Sequence, residues 1–313
     1  MNQSYRLICS IQSGQYLGVN EHNNNSHQQL KTYDDCGDNC IWKQDNKAME
    51  FVSVANINVT FHMKHPNEWN IISASPKLPS QYVKELQTIG YAIIENILDE
   101  KQLVNIRNYV KTERKNLGVG DYDDRFIMPN SIHESPEIAS ASAHPIAMNV
   151  IKSYLGVKHI HQGHIPWLTV LRPAKKLKGT FPEGGWHVDY PYRLGRFSDD
   201  EWPEYPALGV QYNICVDDFK ASTGGTQFIP GSHLRKHGPG WKEYGEDINI
   251  GGTKIGEGVH RDVVHVEAPA GSAFIYDSRL WHRLAPETNI SGKDRAAILC
   301  AVTPAWVIPM LER

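Results

Sequence analysis

The sequence predicts a mainly β protein with flanking helices, and three observations support this prediction. From Ile160 onward, short runs rich in β-branched and aromatic residues alternate with glycine and proline turns, a pattern typical of sandwiches and barrels. Residues 79–156 instead carry helical periodicity with capping residues. Residues 1–78 contain further short β-type runs separated by turn-rich loops. We therefore expect an N-terminal β-rich extension of residues 1–78 and a main domain of residues 79–313.

Three helices are expected at the start of the main domain, with a buried strand, YAIIENI, after the first of them. Each helix has a start or stop signal: a polar cap, a capping box, a first-turn proline or a terminal glycine. The residues that carry these signals are, in order, Ser80 with Gly90, Asp99 with Gln102, and Pro145 with Gly156.

Eight strands are expected in the second half of the chain, and eight strands suit a jelly roll. They are IPWLTVLR, GWHVDY, LGVQYNICV, GTQFIP, DVVHVEA, SAFIYD, HRLAP and AAILCAVTP. The glycine-rich segment 238–262 has little periodicity, so we expect a long loop that covers the functional site.

The composition excludes several classes of protein. The net charge is −3 over 313 residues, which does not indicate nucleic-acid binding. The sequence has no apolar run of membrane-spanning or signal-peptide length. An odd number of cysteines, 5, favours reduced thiols. We therefore expect a cytoplasmic protein with no nucleic-acid or membrane partner.

Four residues suggest a metal site. His187 and Asp189 stand two positions apart, so in an extended strand their side chains point to the same side. His282 follows 95 positions later (282 − 187) on another predicted strand. Two imidazoles and one carboxylate can hold three positions of iron(II) and leave the others for substrate and dioxygen. Arg295 offers a planar fork that suits a carboxylate co-substrate.

Two other histidines compete for the role of ligand. His265 and Glu267 form a second His-x-acid triplet that could combine with His282. The alternation in VVHVEA is explained more simply by a strand, because only 15 residues separate Glu267 from His282 (282 − 267). His233, in PGSHLRKHG, is expected to belong to a structural turn.

A succession of phrases over residues 82–301 resembles a known family. In order they are YVKELQTIGYAIIENILDEKQLVNI, GGWHVDY, GVQYNICVDDF, TGGTQFIPGSHLRKHG, APAGSAFIYDSRLWHR and KDRAAILCAV. The succession resembles the phytanoyl-CoA dioxygenase family of iron(II)/2-oxoglutarate-dependent oxygenases. The resemblance implies a double-stranded β-helix core, that is, a cupin-like jelly roll. It also implies iron(II) as cofactor, 2-oxoglutarate and dioxygen as co-substrates, and ascorbate as a supporting reductant.

The same resemblance implies a role for individual residues. The metal ligands map onto His187, Asp189 and His282, and the arginine that binds the distal carboxylate of 2-oxoglutarate maps onto Arg295. Many relatives carry a Ser or Thr two positions after the second histidine, where this chain has Leu284. The segment RLAPETNISGKD between the second histidine and the arginine is also about two residues longer than is usual. Further candidates for binding the co-substrate are Thr169 and Trp186, and for the substrate Tyr190, Tyr192, Arg193, Gln211 and Asn213.

The predicted function is oxidation of an unactivated C–H bond of a small molecule, with release of succinate and carbon dioxide. Hydroxylation is the default outcome, and desaturation or oxidative cyclisation are alternatives. Halogenating relatives lack the carboxylate, which is present here as Asp189. Two other classes of function stay open: a cupin-like metal-dependent isomerase or hydrolase that does not use 2-oxoglutarate, and a non-catalytic jelly roll that binds a small molecule.

Overall fold

The computed structural model describes most of the main domain and the strands of the N-terminal extension. The described residues are 4–10, 16–19, 30–33, 37, 40–44, 50–53, 60–62, 69–73, 77–116, 125–128, 130–173, 186–192, 207–235, 238–239, 263–285 and 289–307. The predicted loop 238–262 therefore lies almost entirely outside them.

The N-terminal extension forms one antiparallel sheet. Its strands are β1 (Ser4–Ser10), β2 (Tyr16–Val19), β3 (Leu30–Tyr33), β4 (Trp42–Gln44), β5 (Glu50–Ser53), β6 (Thr60–His62) and β7 (Trp69–Ser73). The strand order is β3-β2-β1-β4-β5-β6, and β7 pairs with β1. The predicted β-rich character is thus confirmed. Cys40 and Ile41 are fully buried in the hydrophobic cluster that also contains the helices of the main domain, so the extension contributes to that core.

Five helices are described: α1 (Pro79–Ile89), α2 (Glu100–Asn116), α3 (Ser131–Glu134), α4 (Pro136–Ser142) and α5 (Pro145–Leu155). The predicted capping box of α2 is present, since the Asp99 and Gln102 side chains each accept the backbone N–H of the other residue, at 2.8 and 2.9 Å. The glycines predicted to end α1 and α5 both adopt the left-handed conformation. None of the described helices is both long and apolar enough to span a bilayer.

The prediction that Ser80 caps α1 was wrong. The helix begins at Pro79, two residues before the start that a Ser80 cap implies, and Leu78 occupies the N-cap position. The fixed φ of proline suits the first helical position. The side chain of Gln81 accepts the backbone N–H of Leu78 at 2.8 Å, so a side chain from within the first turn holds the N-cap residue. The short helices α3 and α4 were not predicted.

Two antiparallel sheets form the main domain. The strands are β8 (Tyr91–Ile94), β9 (Arg125–Met128), β10 (Ile160–Gln162), β11 (Trp167–Leu171), β12 (Val210–Cys215), β13 (Thr226–Phe228), β14 (Val264–His265), β15 (Ala273–Asp277), β16 (His282–Leu284) and β17 (Arg295–Pro304). The major sheet has the order β8-β15-β12-β17-β11-β9, with β10 also paired to β17, and the minor sheet has the order β14-β13-β16. This arrangement confirms the predicted jelly roll.

The predicted strand GWHVDY is reduced to a single bridge between His187 and His282, which adds this segment to the edge of the minor sheet. The two faces of the major sheet differ in what they contact. Its outer face packs on the helices, whereas its inner face meets the minor sheet in a second cluster that includes Phe274, Tyr276 and Phe228. A site between the two sheets is therefore lined by aromatic rings.

Candidate metal centre

The backbone brings the three predicted metal ligands together. The N–H of His187 donates to the carbonyl of His282, and the N–H of His282 donates to the carbonyl of His187, both at 3.0 Å. The N–H of Asp189 donates to the carbonyl of Ser278 at 2.8 Å. Val188, between the first two ligands, points away from them into a separate hydrophobic cluster. Side chains therefore alternate in direction along residues 187–189, as expected of an extended segment, and the two ligands share one side.

The side chains of the three residues offer one ligand atom each within 4.8 Å of one another. Nε2 of His282 lies 3.1 Å from Oδ2 of Asp189, and Nε2 of His187 lies 4.0 Å from Oδ1. Burial alone would raise the pKa of Asp189, but the neighbouring imidazoles of His282 and His187 outweigh it, so the pKa lies below its ordinary value. An ionised carboxylate beside two imidazoles is a donor set that suits iron(II).

The tautomer of His282 is determined by its surroundings. Its Nδ1 lies 2.8 Å from the carbonyl oxygen of Leu280. A carbonyl can only accept, so Nδ1 carries a proton, and Nε2 is the nitrogen that is left to bind a metal. This is the arrangement that a metal-binding imidazole needs, with its second nitrogen bonded to a backbone oxygen.

The competing histidines do not join this group. Among the described residues, the only cluster of His, Cys, Asp and Glu side chains that could hold a metal is His187, Asp189 and His282. Glu267 is exposed, and Nε2 of His265 lies 3.0 Å from the side-chain amide of Gln227. His233 is buried in a 3-10 turn, where its Nε2 lies 3.3 Å from the carbonyl of Gln87.

Arg295 begins β17 and is held by backbone carbonyls. Its Nε–H donates to the oxygen of Thr223 at 3.2 Å, and its Nη2 donates to the oxygen of Gly224 at 3.0 Å. The guanidinium lies 4.1 Å from the ring centroid of Phe219. These contacts fix the direction of the planar fork before any ligand arrives, and the side chain is buried.

A continuous series of aromatic contacts links this arginine to the ligand cluster. Phe219 lies 5.1 Å from Phe274, Phe274 lies 6.0 Å from Tyr276, and Tyr276 lies 4.8 Å from His282, measured between ring centroids. Arg295 and the metal ligands therefore line one interior, between the major and minor sheets.

The strand register places other predicted residues on the same inner face. Thr169 pairs with Ala297, two positions after Arg295, and Gln211 pairs with Tyr276. Asn213, two positions after Gln211, hydrogen bonds through its side chain to Tyr276. Because residues two apart share a face, Thr169, Gln211 and Asn213 all face the interior that holds the ligands.

Two other predicted residues, Trp186 and Tyr192, lie away from the ligand atoms. Trp186 belongs to the cluster behind the ligand strands, where the guanidinium of Arg283 lies 4.7 Å from its ring. Tyr192 is in the same cluster, and its hydroxyl accepts the N–H of Leu208 at 2.9 Å. Tyr190 is buried and precedes a cis peptide bond. Arg193 lies outside the described residues. The structure does not bring Trp186 or Tyr192 to the ligand atoms.

Two residues near the centre were missed by the sequence analysis. The hydroxyl of Tyr276 lies 3.1 Å from Oδ2 of Asp189 and 3.4 Å from Nε2 of His282. Thr226 pairs with Leu284 across the minor sheet, so it places a hydroxyl beside the apolar side chain that occupies the Ser or Thr position. The alternation of SAFIYD and GTQFIP could have placed both on inner faces, but only the strand register shows what they face.

The chain belongs to the phytanoyl-CoA dioxygenase (PhyH) family, which residues 86–297 match. An uncharacterized protein of Mycobacterium tuberculosis is 28% identical over 233 residues, which cover 68% of this chain and 71% of that protein. Dioxygenase andF of Emericella variicolor is 20% identical over 247 residues, covering 72% and 74% of the two chains. The crystal structure of HygX from Streptomyces hygroscopicus, with nickel and 2-oxoglutarate bound, matches with a TM-score of 0.56 at 13% identity, covering 76% of this chain and 91% of HygX. This likeness confirms the double-stranded β-helix.

Proposed function

We propose that this protein is an iron(II)- and 2-oxoglutarate-dependent oxygenase that oxidises a C–H bond of a small molecule. The observation that carries the proposal is the meeting of His187, Asp189 and His282, with ligand atoms within 4.8 Å of one another, in a chain of the phytanoyl-CoA dioxygenase family. The presence of nickel and 2-oxoglutarate in HygX, and the name of dioxygenase andF, support the same assignment.

The three ligands would hold one face of the iron. When bound, iron(II) with 2-oxoglutarate and dioxygen supplies the oxidation, and succinate and carbon dioxide are released. Asp189 contributes the negative charge, and His282 contributes a lone pair whose direction is fixed by the Leu280 carbonyl. His187 is paired with His282 by two backbone hydrogen bonds, so the backbones of the two ligand residues keep their spacing before the metal arrives.

Arg295 would bind the distal carboxylate of 2-oxoglutarate. The guanidinium is buried and aimed by the carbonyls of Thr223 and Gly224, so little side-chain freedom is lost on binding. The guanidinium lies over the ring of Phe219, which is connected to the metal ligands by the series of aromatic contacts described above. Thr169, on β11 of the major sheet, and Thr226, on β13 of the minor sheet, would provide hydroxyl groups beside the co-substrate.

Substrate would enter the space between the sheets, where Gln211 lies on the inner face of β12. An amide can orient a polar group of a small molecule by hydrogen bonding, while the aromatic walls accept its apolar part. Hydroxylation is the default outcome, and desaturation or cyclisation follows where the substrate radical is held away from the oxidant. The position of the substrate decides among these outcomes.

The test is anaerobic addition of iron(II) and 2-oxoglutarate to the purified protein, followed by visible absorption. We expect the weak metal-to-ligand charge-transfer band in the wild type, its loss in Asp189→Ala, and a large fall in 2-oxoglutarate affinity in Arg295→Ala. Breaking a desolvated ion pair costs roughly 3–5 kcal/mol, which is at least a hundredfold in affinity. Lys220→Ala is a matched control, because its ion pair with Asp218 is at the surface.

The absence of the band in folded, iron-loaded wild type would refute the oxygenase proposal. It would favour an isomerase or hydrolase that does not use 2-oxoglutarate, or a binding protein. Release of succinate during turnover separates the oxygenase from both alternatives, because neither of them consumes 2-oxoglutarate.

A further inference from the structure

The position of Tyr276 suggests a second contribution to the metal centre. The residue lies on β15, and its hydroxyl is within 3.1 Å of Oδ2 of Asp189 and 3.4 Å of Nε2 of His282. The ring is buried against Phe228, with centroids 5.0 Å apart, and against Phe274. A phenylalanine would fill the same space, so packing alone does not require the hydroxyl.

The hydroxyl has one proton and two acceptors. Nδ1 of His282 donates to the Leu280 carbonyl, so Nε2 of the neutral imidazole is one acceptor, and the Asp189 carboxylate is the other. A metal bound to Nε2 would occupy its lone pair. The carboxylate of Asp189 would then be the acceptor that remains within reach of the Tyr276 proton.

Asn213 extends this contact to the neighbouring strand. Its side chain hydrogen bonds to the Tyr276 hydroxyl. Because the single phenol proton goes to Asp189, the amide of Asn213 must donate to the phenol oxygen. A directed series of hydrogen bonds thus runs from β12 through β15 to the metal-binding carboxylate, and each bond in such a series polarises the next.

We propose that Tyr276 is a positioning residue that orients the Asp189 carboxylate for the metal, and that Asn213 holds Tyr276 in place. The inference rests on the proposed function, because it assumes that Asp189 binds the metal. It gives Asn213 a structural role at the metal centre in place of the substrate contact that the sequence suggested. Partners that orient metal ligands typically change metal affinity by about 10–100-fold when they are removed.

The experiment is calorimetric titration of the metal-free full-length protein with Ni(II) or Co(II) alone. Tyr276→Phe keeps the ring and removes the hydroxyl, so we expect metal affinity to fall by about 10–100-fold. The visible spectrum of the Co(II) form should also change, because the carboxylate is no longer held in one orientation. Asn213→Leu should lower the affinity in the same direction by a smaller factor. Tyr91→Phe is the matched control, because Tyr91 pairs with Tyr276 in the sheet and its ring also packs on Phe228.

The outcomes separate this inference from the proposed function. Wild type that binds no divalent metal would overturn the proposed function, and the inference with it. If Tyr276→Phe binds metal as tightly as the wild type and gives the same Co(II) spectrum, the inference alone is overturned. An unchanged affinity in Asn213→Leu would remove Asn213 from the series. A charge-transfer band in the ferric wild type that Tyr276→Phe lacks would show that the phenolate is itself a ligand and would also overturn the inference.

Discussion

Replacement of Arg279 by methionine should strongly destabilise the fold. Asp277 is fully buried, and its carboxylate accepts the Nε–H of Arg279 at 2.9 Å and the Nη2–H at 2.7 Å. The Tyr154 hydroxyl and the backbone N–H of Arg279 also donate to it. Methionine keeps most of the aliphatic volume but leaves a buried carboxylate without its counter-charge. We expect the free energy of unfolding to fall by roughly 3–5 kcal/mol.

The assay is urea unfolding at neutral pH, with two companion variants. The double variant Asp277→Asn with Arg279→Met should lose less stability than Arg279→Met alone, because no uncompensated charge is left. Lys220→Met removes a surface ion pair with Asp218 and should cost less than about 1 kcal/mol. A loss below about 1 kcal/mol in Arg279→Met, or a double variant less stable than the single one, would refute the argument that charge burial dominates at this site.

The same turn affects the metal centre, because the Ser278 carbonyl between these two residues accepts the N–H of Asp189. We therefore expect Arg279→Met to weaken metal binding as well as the fold. Calorimetric titration with Ni(II), under conditions where the variant is folded, checks this second effect.

Three further predictions concern other parts of the molecule. Burial lowers the pKa of His144 from 6.5 to about 4, so its contribution to stability is complete above about pH 6.5 and is lost as the pH falls toward 4. The loss is about 2 kcal/mol at pH 5, and it should disappear in His144→Gln when urea unfolding is compared at pH 7 and pH 5. Gly271→Ala should cost about 1–3 kcal/mol, because φ is +85° and the new Cβ would lie 2.7 Å from the Leu98 carbonyl oxygen. Gly292→Ala, at φ +75° with open space around it, should cost less in the same unfolding assay. Thr226→Val should lower 2-oxoglutarate affinity by about 10–150-fold in a binding titration, the range expected for one lost hydrogen bond to a charged group, and an unchanged affinity would exclude this hydroxyl from the co-substrate site.

Several structural features were predictable because they depend on interactions within a few residues. The capping box of Asp99 and Gln102 is one, and the left-handed glycines that end α1 and α5 are others. The start of α1 was misjudged by two residues, because proline at the first position and a serine cap compete for the same end of the helix.

The candidate site was predictable in part for a similar reason. The His-x-Asp spacing places two ligands on one side of an extended segment whatever the rest of the chain does. Tyr276 gave no comparable signal, because an aromatic residue in a strand is usually core packing. Its contact with Asp189 joins residues 87 positions apart, and it depends on how β15 and the ligand segment align.

The sequence by itself determined the longer helices, most of the later strands, the family and the three ligand types, because alternation, capping and spacing act over short stretches of chain. Only the tertiary structure decided the strand order, the hydrogen-bond partner of each imidazole and carboxylate at the site, and which polar residues face the interior. Trp186 and Tyr192 flank the metal triplet in sequence yet lie in a separate cluster behind it. Tyr276, in contrast, comes from a distant strand and reaches the ligands, and Asn213 on another strand contacts Tyr276. Strand register causes this difference, since a shift of one residue moves every side chain to the opposite face of its sheet.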